Sequence, residues 1–244
     1  SIYQLRHLER VVKSTNLKVV GLHMHTGSDI LDADVFLRGA DILFEAAQNF
    51  KDLAYLDFGS GLKVKYHDND NTTNIEDLGA KISDRFQEFC ANYGKELTLV
   101  FEPGKFMVSE SGFLFVRTNV IKQTTATVFA GVDSGQNHLI RPMMYDAYHH
   151  ITNISNPNGV QRIYTVVGYI CETDTFGWDR QLNEVREGDI LALHNAGAYG
   201  YSMSSNYNSR YRPAEVLIHN GSAKLIRRRE NLDDLLATQI EVEF

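Results

Sequence analysis

Residues 21–30 read GLHMHTGSDI, an apolar run that ends in two histidines and then a Gly-Ser pair. His23 and His25 are spaced to clamp a metal, to pack as structural imidazoles, or to lie beside an organic cofactor whose phosphate rests on the turn. A zinc site of this kind needs further histidine or carboxylate ligands on neighbouring strands. The next two apolar runs, LAYLDFGSG at 53–61 and LTLVFEPGK at 97–105, bring Asp57 and Glu102 but no histidine, which weighs against metal. His23 is left as structural.

A phosphate suits the pattern better. Gly59, Ser60 and Gly61 follow an apolar run, and glycines there let backbone N–H groups approach an anion. Ser28 from one flanking run, with Gly104 and Lys105 from the other, add donors. Each charge-assisted hydrogen bond contributes about 1.5–3 kcal/mol, so a desolvated phosphate needs several at once. Glu102 would repel a phosphate. The conflict disappears if its carboxylate faces the far end of the cofactor, against a protonated ring nitrogen. Pyridoxal phosphate has that polarity, and its ring accepts electrons from a developing carbanion. A flat imidazole such as His25 is suited to stack on that ring.

These residues need a scaffold that brings three run-ends together. Residues 1–110 alternate helical and strand-like patterns. Ile2, Leu5, Leu8, Val11 and Val12 mark a helix ending near Ser14; Phe36 to Ala47 and Ile75 to Phe89 mark two more. Between them lie the strands LKVVGLHMH, LAYLDFGSG and LTLVFEPGK, with little polar alternation. That combination predicts a parallel sheet covered by helices, with ligands at the carboxyl ends of its strands. From 111 to 244 the texture turns β-rich. GFLFVRTNVIKQ, TATVFAGVDS, QRIYTVVGYIC and DILALHNAG read as strands, AEVLIHNGSAKLIRR as a hairpin turning at Asn220-Gly221, and ENLDDLLATQ as a short helix.

Composition narrows the class. The 31 acidic against 24 basic residues give a net charge of −7, and the only basic cluster is Arg227–Arg229, so a nucleic-acid partner is not expected. No run is apolar enough to span a bilayer, and no signal-peptide pattern opens the chain. Cys90 and Cys171 stand far apart in different contexts, and a reduced cytoplasmic protein is the expected setting.

Six segments in order, GLHMHTGS, LDFGSGLKVKY, FEPGKFMV, RPMMYDAYH, CET and GAYGYSMSSNYNSRYRPAEVL, resemble the diaminopimelate decarboxylases. These belong to the alanine-racemase-fold group of pyridoxal-phosphate decarboxylases. The resemblance runs over nearly the whole chain. It implies a partial (β/α)8 barrel at 1–110 followed by a β-rich domain at 111–244, and decarboxylation of meso-2,6-diaminopimelate to L-lysine in a homodimer with shared active sites. By the same resemblance His25 stacks on the ring, Ser28, Gly59, Ser60, Gly61 and Tyr199 serve the phosphate, and Glu102 pairs with the ring nitrogen. Arg141 and Tyr145 bind the substrate's distal carboxylate. Cys171, a catalytic candidate, and Glu172, which would hold the distal ammonium, enter the partner subunit's site. Related decarboxylases acting on ornithine, lysine, arginine or carboxynorspermidine form the alternative.

Three features depart from the family. Lys105 stands where arginine is usual, keeping the charge but losing the planar fork for phosphate or substrate carboxylate. The family's CESGD is here CETDTFGWDR. The lysine that forms the Schiff base lies, in the family, on an early strand upstream of Ser1. The chain is therefore expected to be the carboxyl-terminal portion of a longer enzyme, and as an isolated fragment to lack catalysis.

Overall fold

The computed structural model describes residues 2–67 and 69–243. The chain divides into two compact units, Ser1–Met107 and Val108–Phe244.

In the first unit helices and strands alternate: α1 (Ile2–Lys13), β1 (Gly21–His23), α2 (Ala33–Ala47), β2 (Tyr55–Asp57), α3 (Ile75–Tyr93), β3 (Thr98–Val100) and the short α4 (Gly104–Val108). The three strands pair in the order β1-β2-β3, all parallel. Their register sets His23 opposite Asp57 and Asp57 opposite Val100, so the residues that follow each strand emerge along one edge.

Local sequence explains the helices that hold this edge. Asp32 caps α2 by accepting the Asp34 N–H at 2.8 Å, and Asn74 caps α3 by accepting the Asp77 N–H at 3.0 Å. In α2 the apolar residues Phe36, Leu37, Ala40, Leu43, Phe44 and Ala47 recur at helical spacing and form its buried face. Gly94, at φ 79°, ends α3 in the left-handed conformation that suits glycine. A phenylalanine cluster joins helices to sheet: Phe44 stacks on Phe89 at 4.7 Å and meets Phe58 edge-on at 5.6 Å. Phe58 is fully buried and immediately precedes Gly59, so the core anchors the glycine loop.

The strands are shorter than the apolar runs suggest. LKVVGLHMH was expected as one strand, but only Gly21–His23 is ladder-paired, and among the described residues β1 has β2 as its single neighbour in the sheet. Leu17 and Val20, on the same run, are exposed.

The second unit contains β4 (Leu114–Gln123), β5 (Val128–Val132), α5 (Arg141–Tyr145), β6 (Ile151–Asn153), β7 (Gln161–Val167), β8 (Thr175–Asn183), β9 (Ile190–Leu193), β10 (Glu215–His219), β11 (Ser222–Arg227) and α6 (Leu232–Leu236). Six strands form one sheet in the order β6-β9-β4-β5-β7-β8, antiparallel except between β5 and β7. Val116, Val132, Tyr164, Val166, Leu191 and Leu193 build its core. β10 and β11 form the expected hairpin, with Asn220 at φ 48° and Gly221 at φ 73° as two-residue turns of this type require.

The sequence reading foresaw neither β6 nor β8. β8 runs through TFGWDRQLN, whose charges interrupt any apolar alternation. It carries a bulge: Tyr164 faces Arg180 and Val166 faces Gly177, leaving one extra residue in β8, with Asp179 at φ 47°. Among the described residues no helix is long and apolar enough to cross a membrane.

Candidate active site

The carboxyl ends of β1, β2 and β3 form a linked set of loops. The buried Asp57 closes the glycine turn by accepting the Gly59 N–H at 2.9 Å. The Gly59 carbonyl accepts the Glu102 N–H at 2.7 Å, and the Gly61 carbonyl accepts the Ile30 N–H at 2.7 Å. One glycine loop is thereby tied to both neighbouring strands. Gly59 and Gly61 adopt φ of 61° and 118°, and no side chain fits at either. A Cβ on Gly59 would stand 2.5 Å from the Met24 carbonyl oxygen, and one on Gly61 would collide with that of Gly27.

The two histidines part company at this edge. β1 ends at His23, and its Nε2 lies 3.2 Å from Glu102 Oε2. His25, beyond the strand, accepts the Ser60 N–H at Nδ1 over 3.4 Å, which leaves the proton of the neutral ring on Nε2. The pair is therefore no clamp of its own. His23 joins Asp57 and Glu102 instead, the ligand-type atoms of the three lying within 4.8 Å of one another. His23, set aside as structural, contacts the most important carboxylate of the edge. Asp57, considered only as a metal ligand, shapes the glycine turn. Spacing alone could not separate them, because alternation places residues 23 and 25 on one face only while the strand lasts.

Ser28 is exposed on the loop after β1, next to Asp29 at φ 60°. Lys105 extends its ammonium to that Asp29, Nζ to Oδ1 2.7 Å, and lies 5.5 Å from the centre of the Tyr66 ring. Gly104 follows Glu102 closely, its N–H donating to the Glu102 carbonyl at 2.8 Å. His25, Ser28, Gly59, Ser60, Gly61 and Glu102 thus belong to the loops at the ends of β1–β3, and Gly104 and Lys105 open α4 just beyond β3.

Arg141, Tyr145, Cys171, Glu172 and Tyr199 belong to the second unit. Arg141 opens α5 and is buried, whereas Tyr145 at the end of the same helix is exposed. A buried guanidinium needs fixed acceptors. One is His149, fully buried, whose Nε2 lies 3.2 Å from Arg141 Nη1 while its Nδ1–H donates to the His194 carbonyl at 2.8 Å. This tautomer leaves the Nε2 lone pair for the arginine. Burial, reinforced by Arg141 and Arg180 and opposed by the His194 carbonyl, pushes the His149 pKa down to about 4. The HH at 149–150 carried no sign of this task in the sequence.

A stability prediction follows from the direction of that shift. An unfolded chain takes up a proton at His149 near pH 6.5, the folded chain only near pH 4. The stability contribution is complete above about pH 6.5 and declines toward about pH 4, by up to about 3 kcal/mol. His138, also lowered by burial, adds to the same trend. Urea denaturation at pH 7 and pH 4.5 should show this loss, and His149→Gln should shrink the difference. An unchanged difference would contradict the assignment.

Cys171 and Glu172 lie on the exposed loop before β8. Buried Asp174 pins that loop, accepting the N–H groups of Gln136 at 2.8 Å and Ile170 at 3.0 Å. Thr173, a β-branched residue, is held at φ 52°, and Tyr199 at φ 59°. Such conformations collect at functional loops. Glu172 accepts the Tyr207 hydroxyl at 2.5 Å, and this bond, aided by the Cys171 thiol, holds its carboxyl below the usual range.

Residues 34–197 match the family model described as "Pyridoxal-dependent decarboxylase, C-terminal sheet domain". The diaminopimelate decarboxylase of Methanothermobacter thermautotrophicus is 40% identical over 238 residues, which cover 94% of this chain and 55% of that protein. Among solved structures, a protein from Aquifex aeolicus superposes with a TM-score of 0.90 at 36% identity, over 99% of this chain and 60% of that one. Diaminopimelate decarboxylase from M. jannaschii in complex with L-lysine superposes at 0.86 with 32% identity, over 98% and 56%. The chain spans about 55% of the length of the curated relatives it matches.

Proposed function

Because the chain belongs to the pyridoxal-dependent decarboxylases, we propose that it forms the carboxyl-terminal portion of an enzyme that converts meso-2,6-diaminopimelate to L-lysine and carbon dioxide with pyridoxal 5'-phosphate. The observation that carries this reading is the bond from the Glu102 N–H to the Gly59 carbonyl, which ties the backbone that bears this carboxylate to a glycine turn that no side chain can fill. Relatives bearing the same activity in their names are 33–40% identical over most of the chain. One solved relative holds L-lysine, the product in this reading.

The residues of the edge fit the cofactor. An anion needs close approach to backbone N–H groups, and a turn with glycine at positions 59 and 61 carries no side chain there to hold it off. Ser60 and Ser28 add hydroxyl donors, and the Gly104 amide, here bonded to the Glu102 carbonyl, would turn from it to serve the phosphate. Tyr199 is assigned to the phosphate from the second unit's sequence motif. The cofactor's ring supplies a sink for the electrons released when carbon dioxide leaves. Glu102 holds a proton at the ring nitrogen, and His23 orients that carboxylate. His25 packs against the ring face.

For the substrate, Arg141 chelates the distal carboxylate, a task its planar fork performs better than an ammonium would. His149 holds that fork, and Tyr145 donates to the same carboxylate. Glu172 takes the distal ammonium, and Cys171 delivers or positions a proton. Lys105 serves phosphate or substrate carboxylate, with Asp29 as its present counter-charge. The Schiff-base lysine is assigned to a segment upstream of residue 1. The enzyme works as a cytoplasmic homodimer, Cys171 and Glu172 acting in the partner subunit's site.

The test is turnover by the full-length protein. Carbon dioxide and L-lysine should form from meso-diaminopimelate, with little release from ornithine, lysine, arginine or carboxynorspermidine. Release from one of those and none from diaminopimelate would overturn the substrate assignment.

A further inference from the structure

We propose that Tyr207 is a positioning residue, whose hydroxyl holds the Glu172 carboxylate at one wall of a cavity of about 300 Å3 lined by Gln136, Asn137, Ile140, Ser205, Glu172 and Tyr207. The inference rests on the reading of Glu172 as the group that receives the substrate's distal ammonium. An exposed carboxylate on a loop samples several rotamers, and binding must then supply the ordering entropy. A partner on a rigid frame removes that penalty in advance.

Tyr207 has such a frame. Its segment is tied to the opposite wall by the Ser205 N–H, which donates to the Asn137 carbonyl at 2.8 Å. On the other side Asn206 Nδ2 donates to the Arg210 carbonyl at 3.0 Å and to Glu230 Oε2 at 2.6 Å. None of these bonds involves Glu172. Strained backbone brackets the pair at both ends: Thr173 at φ 52° follows Glu172, and Asn208 and Ser209 at φ 54° and 56° follow Tyr207. Strain of this kind persists only where surrounding contacts over-determine it. A bare folding role does not account for the arrangement, because both side chains are exposed and an exposed hydrogen bond stabilises little.

The titratable groups around Glu172 are Tyr207, Cys171 and Asp174. Asp174 turns its carboxylate to the backbone N–H groups of Gln136 and Ile170, and the other residues lining the cavity are neutral. Loss of the Tyr207 hydroxyl therefore removes the principal cause of the lowered Glu172 pKa.

The experiment compares wild type, Tyr207→Phe, Glu172→Gln and the double variant in the full-length enzyme loaded with pyridoxal phosphate. Carbon-13 NMR of labelled glutamate follows the Glu172 titration independently of turnover. Tyr207→Phe should move the Glu172 midpoint upward and raise KM for diaminopimelate about tenfold, the loss of one hydrogen bond to a charged group. Its kcat should stay within about twofold, since the contact is made to bound substrate and transition state alike. The double variant should match Glu172→Gln alone. A wild-type midpoint and KM in Tyr207→Phe would overturn the proposal. If the wild-type enzyme ignores diaminopimelate, the reaction assignment falls, and the titration alone decides whether Tyr207 governs Glu172.

Discussion

Replacing Glu102 with glutamine should lower turnover of the full-length enzyme about a hundred- to a thousandfold, the usual effect of removing one preorganised charge from the reacting centre. The fold should survive. The Glu102 side chain is about half exposed, and its bond to Gly59 runs through the main chain, which the substitution leaves in place. Glutamine keeps the shape but carries no charge, so it does not hold a proton at a ring nitrogen. His23 keeps an oxygen acceptor at the same distance, so the orientation of the side chain is preserved and its charge alone is lost. Steady-state kinetics with a thermal-melt control separates the two effects. Turnover near the wild-type value with an unchanged melt would remove Glu102 from the catalytic machinery.

The second large effect should come from Gly61→Ala. Alanine at φ 118° is strained by about 1–3 kcal/mol wherever it occurs. At Gly61 its Cβ also meets the Gly27 carbonyl, part of the backbone that the loop is bonded to. Gly27 supplies the control. It has nearly the same φ, 121°, but open space around its missing side chain. Gly27→Ala therefore reports the torsional cost, and Gly61→Ala that cost together with displacement of the glycine turn. Urea denaturation should show a greater loss for Gly61→Ala. Pyridoxal-phosphate affinity should fall by more than about tenfold, equivalent to losing one charge-assisted donor. Equal losses for the two variants would mean that the turn yields without consequence and does not shape an anion site.

How far these features were legible in the sequence depends on the range of the forces behind them. The helices α2 and α3 could be read because amphipathic spacing and caps are local, as in Asp32, Asn74 and the row Phe36 to Ala47. The hairpin at Asn220-Gly221 was legible for the same reason. So was the placing of a polar residue and a glycine after each of three parallel strands, which led to Glu102 and Gly59–Gly61. What stayed hidden depends on contacts between distant residues. Nothing near His23 announces Glu102, 79 positions later, and nothing in the HH at 149–150 announces that His149 supports Arg141. β8 was missed because its register comes from β7, and a bulge lets a polar sequence remain paired there. Tyr207 stood inside the longest recognised motif, yet its bond to Glu172 spans 35 positions.

The central claim is that Glu102 keeps a cofactor ring protonated at one pole while the Gly59–Gly61 turn receives the phosphate at the other. Nitrogen-15 NMR of the full-length enzyme loaded with ring-labelled pyridoxal phosphate tests it most directly. A protonated ring nitrogen in the wild type that loses its proton in Glu102→Gln is the expected result. Identical ring-nitrogen signals in the two proteins would contradict it.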